Sequence, residues 1–288
     1  MKAENRPFAA DTHSGLLREG NEDCFLAEPE LGLWLIADGV GGNPCGELAS
    51  DIVRNTLREQ VAAGSTLVEA VRAAHGEIIA AANAQPEAKG MGSTVVALLL
   101  RGLDYELCWI GDSRAYLWSD RLWQATIDHN VASELLAQNA ITAEEASSHP
   151  QRHVLTRSLG ASGAAPEPGY RSGTLQSGQR ILLCSDGLTE EVSDSLIAHL
   201  LAEHKTPRAQ VDALMSAALD AGGRDNITVL VIGTSSAPTD EQVSQAAEPT
   251  QHSRRSASGG KPNDGRFPVK ALLLVSALVL LGLAAALL

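Results

Sequence analysis

The sequence predicts a mixed α and β fold, and three features carry that expectation. Short apolar runs of strand length recur and end in acidic, glycine-containing turns. Two longer stretches place apolar residues at helical spacing. A β-branched run, Ile227-Thr228-Val229-Leu230-Val231-Ile232, closes the patterned part of the chain.

In chain order, the first signal is polar: Arg18 to Asp23 reads R-x-x-N-E-D. Leu33-Trp34-Leu35-Ile36-Ala37 then reads as a buried strand bounded by glycines, with Asp38 as its first charged residue. Gly39, Gly41 and Gly42 remove side-chain bulk and permit positive φ, so that backbone carbonyls can turn toward an ion or a phosphate. Residues 47–60, with Leu48, Ile52, Val53 and Leu57, read as an amphipathic helix. A second helix starts at the capping-box pattern Thr66 to Glu69 and continues through Val71, Ala74, Ile78 and Ala82.

Strands dominate residues 93–126, with a turn at Ser119-Asp120, and one of them runs from Leu107 to Ile110 into Gly111-Asp112-Ser113-Arg114. Residues 127–160 read as helical and loop-rich. Leu182-Leu183-Cys184 leads into Ser185-Asp186-Gly187. Thr206-Pro207 reads as an N-cap followed by proline at the first helical position, and Val211, Leu214, Met215, Ala218 and Leu219 keep helical spacing until Gly222-Gly223. Asp225-Asn226 sits in the tight connection to the last strand.

Each Asp-Gly taken alone is a turn signal, and Asp225 alone is a cap or Asx-turn residue. The recurrence of an acidic residue at the edge of an apolar stretch is what points further. Hard divalent cations such as Mg²⁺ and Mn²⁺ prefer oxygen ligands in near-octahedral geometry, and carboxylates at strand ends beside glycines supply them.

In their order, these motifs resemble the bacterial branch of the metal-dependent protein phosphatases, the type 2C serine/threonine phosphatases. The likeness covers residues 8–233. It includes Gly90-Met91-Gly92-Ser93-Thr94 and the stretch from Asp128-His129 through His149-Pro150-Gln151-Arg152 to Leu155-Thr156-Arg157-Ser158-Leu159-Gly160. The resemblance implies an α+β fold of two stacked antiparallel sheets flanked by helix pairs, with a flap within residues 127–160. It implies two Mn²⁺ or Mg²⁺ ions. Asp38 would bridge them, Asp186 and Asp225 would complete the first, and Glu22 with the Gly39 carbonyl the second. Asp112 would hold a weaker third ion together with Asp186. Arg18 would grip the substrate phosphate, with Asp23 and Asn226 in supporting positions. Eukaryotic relatives often carry a histidine general acid after the bridging Asp-Gly. This chain has Val40 there, so protonation of the leaving group falls to water.

Other constellations are weaker. His149 and His153 are separated by Pro150 and lack a neighbouring cysteine or carboxylate to complete a zinc site. Cys24, Cys45, Cys108 and Cys184 have no C-x-x-C spacing and read as thiols in a reducing compartment. The formal net charge of -13 argues against a nucleic-acid partner, and no P-loop pattern is present.

The composition changes after residue 233. Residues 1–233 read as the phosphatase domain, 234–268 as a polar, disordered linker, and 269–288 as a C-terminal transmembrane anchor. Ala271 to Leu288 carries no charge, and at 1.5 Å per residue it covers about 27 Å, enough for the hydrocarbon layer. Arg254, Arg255, Lys261, Arg266 and Lys270 against Asp264 alone form a flank that stays cytoplasmic, and the first residues show no apolar signal-peptide core. The expectation is a single-pass inner-membrane (cytoplasmic-membrane) phosphatase facing the cytoplasm. It would act on phosphorylated proteins, and the resemblance suggests a Hanks-type kinase as counterpart. The alternatives are a non-catalytic phosphoprotein-binding membrane adaptor of the same fold, or a phosphatase dedicated to one regulatory partner.

Overall fold

The computed structural model of the chain describes residues 6–42, 44–163 and 165–234. The linker after residue 234 and the anchor expected at 269–288 lie outside the described residues. Among the described residues no helix is long and apolar enough to cross a membrane.

The elements in chain order are β1 (Phe8–His13), β2 (Asp23–Glu28), β3 (Leu33–Val40), α1 (Cys45–Ala62), α2 (Leu67–Ala84), β4 (Gly92–Ser93), β5 (Val95–Arg101), β6 (Asp104–Ile110), β7 (Arg114–Trp118) and β8 (Leu122–Gln124). There follow α3 (Val131–Ala137), α4 (Ala143–Ser147), β9 (Gly169–Thr174), β10 (Arg180–Cys184), α5 (Asp186–Thr189), α6 (Asp194–Glu203), α7 (Pro207–Ala221) and β11 (Ile227–Gly233). One sheet has the order β1-β11-β10-β7-β8. The other has the order β2-β3-β5-β6-β9, with β4 added on β3. Every pairing is antiparallel.

The central strands are apolar on both faces because both faces are covered. In β3, Trp34 and Ile36 enter the layer between the sheets, where they meet Val96, Leu98, Ile181, Leu183, Leu230 and Ile232. The alternate residues Leu33 and Leu35 face outward and are covered by Val53 and Leu57 of α1 and Val71 and Ile78 of α2. The second sheet repeats the scheme, with Leu182, Val229 and Val231 under Ile197, Leu201, Val211 and Leu214 of α6 and α7. Each such side chain contributes about 1.5–3 kcal/mol by leaving water. The sandwich is therefore four layers deep, and the expected two sheets with flanking helix pairs are present.

Helix ends follow the sequence closely. The Thr66 hydroxyl accepts from the Glu69 backbone N–H while the Glu69 carboxylate accepts from the Thr66 backbone N–H. Thr206 caps α7 through the Ala209 N–H, with Pro207 opening the helix. Three strands had no sequence signal, β1, β2 and β9, and all three are sheet edges. An edge strand faces water on one side and can be polar, as the alternating exposure of β9 shows.

Two local expectations need correcting. Asp38 does not end its strand, because β3 continues through Gly39 and Val40, which pair with Ser93 and Gly92 of β4. Asp186-Gly187 is not a turn but the start of α5, with Ser185 as N-cap residue.

Candidate metal centre

Strand register brings the acidic motifs to one end of the sandwich. In one sheet, Asp23 opens β2 directly opposite Asp38 near the end of β3. In the same sheet Val95 opens β5 opposite Ile110, which leads into Gly111-Asp112. In the other sheet, Cys184 at the end of β10 lies opposite Arg114 at the start of β7 and Val229 near the start of β11. Asp186 and Asp225 flank these positions. The two sheets are tied together there by the Asp23 carboxylate, whose Oδ2 accepts from Ser185 Oγ and Thr228 Oγ1, both at 2.7 Å.

Hydrogen bonds hold the backbone of the predicted residues. The Glu22 N–H donates to Asn226 Oδ1 at 2.8 Å, and Asn226 Nδ2 donates to the carbonyls of Ser14 and Gly20. The Glu22 carbonyl accepts from the Gly39 N–H at 3.1 Å. The Asp38 N–H donates to Thr94 Oγ1 at 3.2 Å, and its carbonyl accepts from the Thr94 N–H at 2.8 Å. Gly39 is glycine for space and not for positive φ, since a Cβ there would sit 2.1 Å from the Gly46 carbonyl oxygen. Positive φ belongs instead to Gly41 and Gly42. Gly46, in the first turn of α1, leaves room for the Glu22 carboxylate, whose Oε2 lies 2.3 Å from where a Cβ would stand. That places Glu22 at the positive end of a helix dipole.

The carboxylates share one electrostatic field. Burial, and then the charges of Asp23, Asp186, Asp112 and Asp225, push Asp38 well above the usual carboxylate range. Burial, followed by Asp112, Glu190, Asp225 and Asp23, does the same to Asp186. Burial raises Asp112 to about 7 and Asp23 to about 6, and burial also raises Glu22. Two arginines act on these carboxylates: Arg18, whose Nη2 bonds Asp225 Oδ2 at 2.6 Å, and Arg114, which is paired with Asp128 and offsets part of the shift at Asp112. Among the described residues no three His, Cys, Asp or Glu side chains form a ready-made metal-binding group. The carboxylates nonetheless act on one another's ionisation. The buried Asp23 Oδ1 has no hydrogen-bond partner. All-oxygen donors that repel one another and are costly to ionise in place fit hard divalent cations.

This field has a measurable consequence. The folded pKa of Asp112, about 7, lies above its ordinary 3.8, so the fold favours the protonated form. Stability of the chelated protein is then present at low pH and lost as pH rises from about 4 to about 7. Thermal unfolding with chelator should give a lower Tm at pH 8 than at pH 5, and Mn²⁺ should remove most of the difference. A chelated protein equally stable at both pH values would contradict this account.

Beside Asp112 and Asp186 opens a cleft of ≈ 850 Å³, bounded across from them by Ala132 and Leu136 of α3 and Ala143 and Ala146 of α4. It is large enough for a phosphorylated side chain with its neighbours. His153, at its wall, pairs with Glu190 through Nδ1, and the His149 Nδ1 accepts from the Gln151 N–H. Cys24, Cys45, Cys108 and Cys184 are all free thiols. Sequence reading missed Ser185, Thr94 and Thr228 as supports. Ser185 and Thr228 are signalled only by nearness to acidic motifs, and Thr94 only by its place in Gly90-Met91-Gly92-Ser93-Thr94.

A helix-flanked antiparallel sandwich with an acidic, oxygen-rich centre and an arginine bound to one of its carboxylates defines a class of divalent-cation sites. A profile for protein phosphatase 2C matches residues 18–221, and the chain belongs to that family. The serine/threonine protein phosphatase PstP of Mycobacterium tuberculosis is 40% identical over 233 residues, which cover 78% of this chain and 44% of the relative. The chain thus spans less than half the length of that relative. The serine/threonine phosphatase stp of Listeria innocua is 31% identical over 235 residues, covering 77% of this chain and 93% of the relative. A solved PstP catalytic domain in complex with two manganese ions is similar with a TM-score of 0.71 and 35% identity, over 79% of this chain and 97% of that one.

Proposed function

We propose that the chain is a metal-dependent serine/threonine protein phosphatase that hydrolyses phosphoserine and phosphothreonine. The observation that supports it most is the shared field of Glu22, Asp38, Asp112, Asp186 and Asp225, with Arg18 bound into it. Asp38, Glu22, Asp186, Asp225 and the Gly39 carbonyl would hold two Mn²⁺ or Mg²⁺ ions, with Asp112 and Asp186 holding a weaker third. When bound, such ions lower the pKa of a water nucleophile and offset charge on the phosphoryl oxygens. Arg18, 56% exposed at its side chain and bonded to Asp225, would turn its guanidinium onto two phosphate oxygens. Asp23 and Asn226 hold the ligand-bearing backbone. Val40 is exposed and carries no proton to donate, so the leaving serine or threonine oxygen takes its proton from solvent. Mn²⁺-dependent release of phosphate from a phosphothreonine peptide tests the reading, and a protein that releases none with Mn²⁺ or Mg²⁺ present overturns it in favour of a non-catalytic phosphoprotein adaptor.

We further infer from the sequence that residues 234–268 tether this domain to a single-pass inner-membrane anchor at 269–288, with the domain facing the cytoplasm. A Hanks-type kinase and its phosphorylated substrates are the partners such a placement serves. Ending the chain after Gly233, the last residue of β11, should leave hydrolysis of a small phosphopeptide unchanged. A flexible tether of this length reaches only about 30–35 Å root-mean-square. Activity on a membrane-embedded phosphoprotein should fall by roughly ten-fold or more, because anchoring raises local concentration. Full-length protein in the soluble fraction of cells would refute the anchor.

A further inference from the structure

One ion pair near the centre has no part in holding a phosphate or a cation. The Glu191 side chain is 2% exposed, yet its partner Arg224 is 63% exposed. Glu191 Oε1 accepts from both the Arg224 backbone N–H at 3.1 Å and Nε at 2.8 Å, and Oε2 accepts from Nη2 at 3.0 Å. A single buried carboxylate therefore fixes main chain and side chain of the residue immediately before Asp225. It stands five residues after Asp186, just past α5.

The segment it grips needs a grip. Gly222 and Gly223 both have positive φ, +144° and +50°, and two successive glycines leave the backbone free to take other conformations. On one side the loop is tied to the β1–β2 connection, where the Leu16 N–H donates to the Gly223 carbonyl at 2.6 Å and Asn226 binds Ser14 and Gly20. On the α5 side, Gly187 lies close under the Asn226 carbonyl, 2.0 Å from where a Cβ would stand. The directed bonds on that side are those between Glu191 and Arg224 and, further along, the Ser185 N–H to the Thr228 carbonyl at 3.1 Å and the Thr228 N–H to Ser185 Oγ at 2.9 Å; those of Glu191 alone reach the residue next to Asp225. Asp186 and Asp225 come from segments far apart in the chain, and their separation depends on how α5 meets this loop.

We propose that Glu191 and Arg224 are a positioning pair that sets the spacing of Asp225 against Asp186, and with it the affinity of the centre for divalent cations. The proposal rests on the reading of this centre as a metal site. Glu191→Gln keeps size and shape but removes the charge and turns one acceptor into a donor facing Nη2. Arg224→Ala removes the partner and leaves the carboxylate buried, a change that can unfold the loop for its own reasons. Glu191→Gln/Arg224→Ala avoids that, since no unpaired charge remains. Supporting interactions of this kind change metal affinity by about 10–100-fold.

Calorimetric titration of the full chain with Mn²⁺ alone, beside thermal unfolding of the chelated forms, tests the pair. Glu191→Gln and the double variant should bind Mn²⁺ roughly ten-fold more weakly or worse, with Tm values of the chelated forms near wild type. In phosphopeptide kinetics, the Mn²⁺ concentration for half-activation should rise by the same factor while KM for peptide stays unchanged, and Arg224→Lys should recover part of the affinity. Wild-type Mn²⁺ affinity in both variants overturns the pair while leaving the metal centre intact. A wild-type protein that takes up no Mn²⁺ overturns the metal reading and the proposal with it.

Discussion

Asp38→Asn is expected to lower kcat by at least on the order of 10²-fold, because removing one fixed electrostatic partner of a transition state already costs about 10²–10³. Asp38 is buried and feels Asp23, Asp186, Asp112 and Asp225 together, and in the proposed centre it is the carboxylate that both cations would share. Asparagine is nearly isosteric and leaves the Thr94 contacts to the Asp38 backbone in place. The effect on the fold should therefore have the opposite sign to the effect on function. Chelated Asp38→Asn should unfold at a higher temperature than chelated wild type, since one repelling charge is gone, while its Mn²⁺ affinity falls. Asp112→Ala should reduce turnover while the other acidic residues still take up Mn²⁺. Calorimetric Mn²⁺ titration and phosphopeptide kinetics on both variants check this, and full activity in Asp38→Asn would sink the mechanism.

The parts of this molecule that are legible in its sequence are those whose neighbours are close in the chain or whose burial is two-sided. Strands β3, β5, β10 and β11, and β6 from Leu107 on, are built on apolar runs because one face meets the other sheet and the opposite face meets helices. The caps at Thr66 and Thr206 are visible because donor and acceptor lie three residues apart. The edge strands β1, β2 and β9 are not visible, because their residues are in large part exposed or only partly buried. Helix α6 is also hidden, with only Ile197 and Leu201 buried, too few to set a period. The aspartates stood out by recurring after apolar runs. Their supports did not, because the bonds from Ser185 and Thr228 to Asp23 span 162 and 205 residues. Contacts at that separation leave no local pattern. At Gly39 the absence of side-chain bulk is what the structure requires and positive φ is not, and what demands the space, the close approach of the α1 backbone, is invisible until the helix is packed.

Arg18→Ala is expected to lower kcat/KM for a phosphopeptide by one to a few orders of magnitude, the equivalent of roughly 1.5–3 kcal/mol for a charged hydrogen bond. The structure adds a second, separable effect. Arg18 spends its guanidinium on Asp225 Oδ2, while the charges of Glu22 and Asp38 also act on it. In the proposed cycle Asp225 would turn from the guanidinium to a cation, and the guanidinium would turn to the phosphate. Removing Arg18 takes away the phosphate contact but also a competitor for Asp225. Mn²⁺ affinity in Arg18→Ala should then equal or slightly exceed that of wild type, while catalysis drops. Arg18→Lys should restore the charge but not the two-point contact, leaving kcat/KM between the other two. A surface role for Arg18 makes a different prediction, with kinetics and Mn²⁺ affinity both at wild-type values. A loss of both together would assign it to holding the loop around Asp225. Only weakened catalysis with undiminished metal binding is consistent with a residue that trades one anion for another.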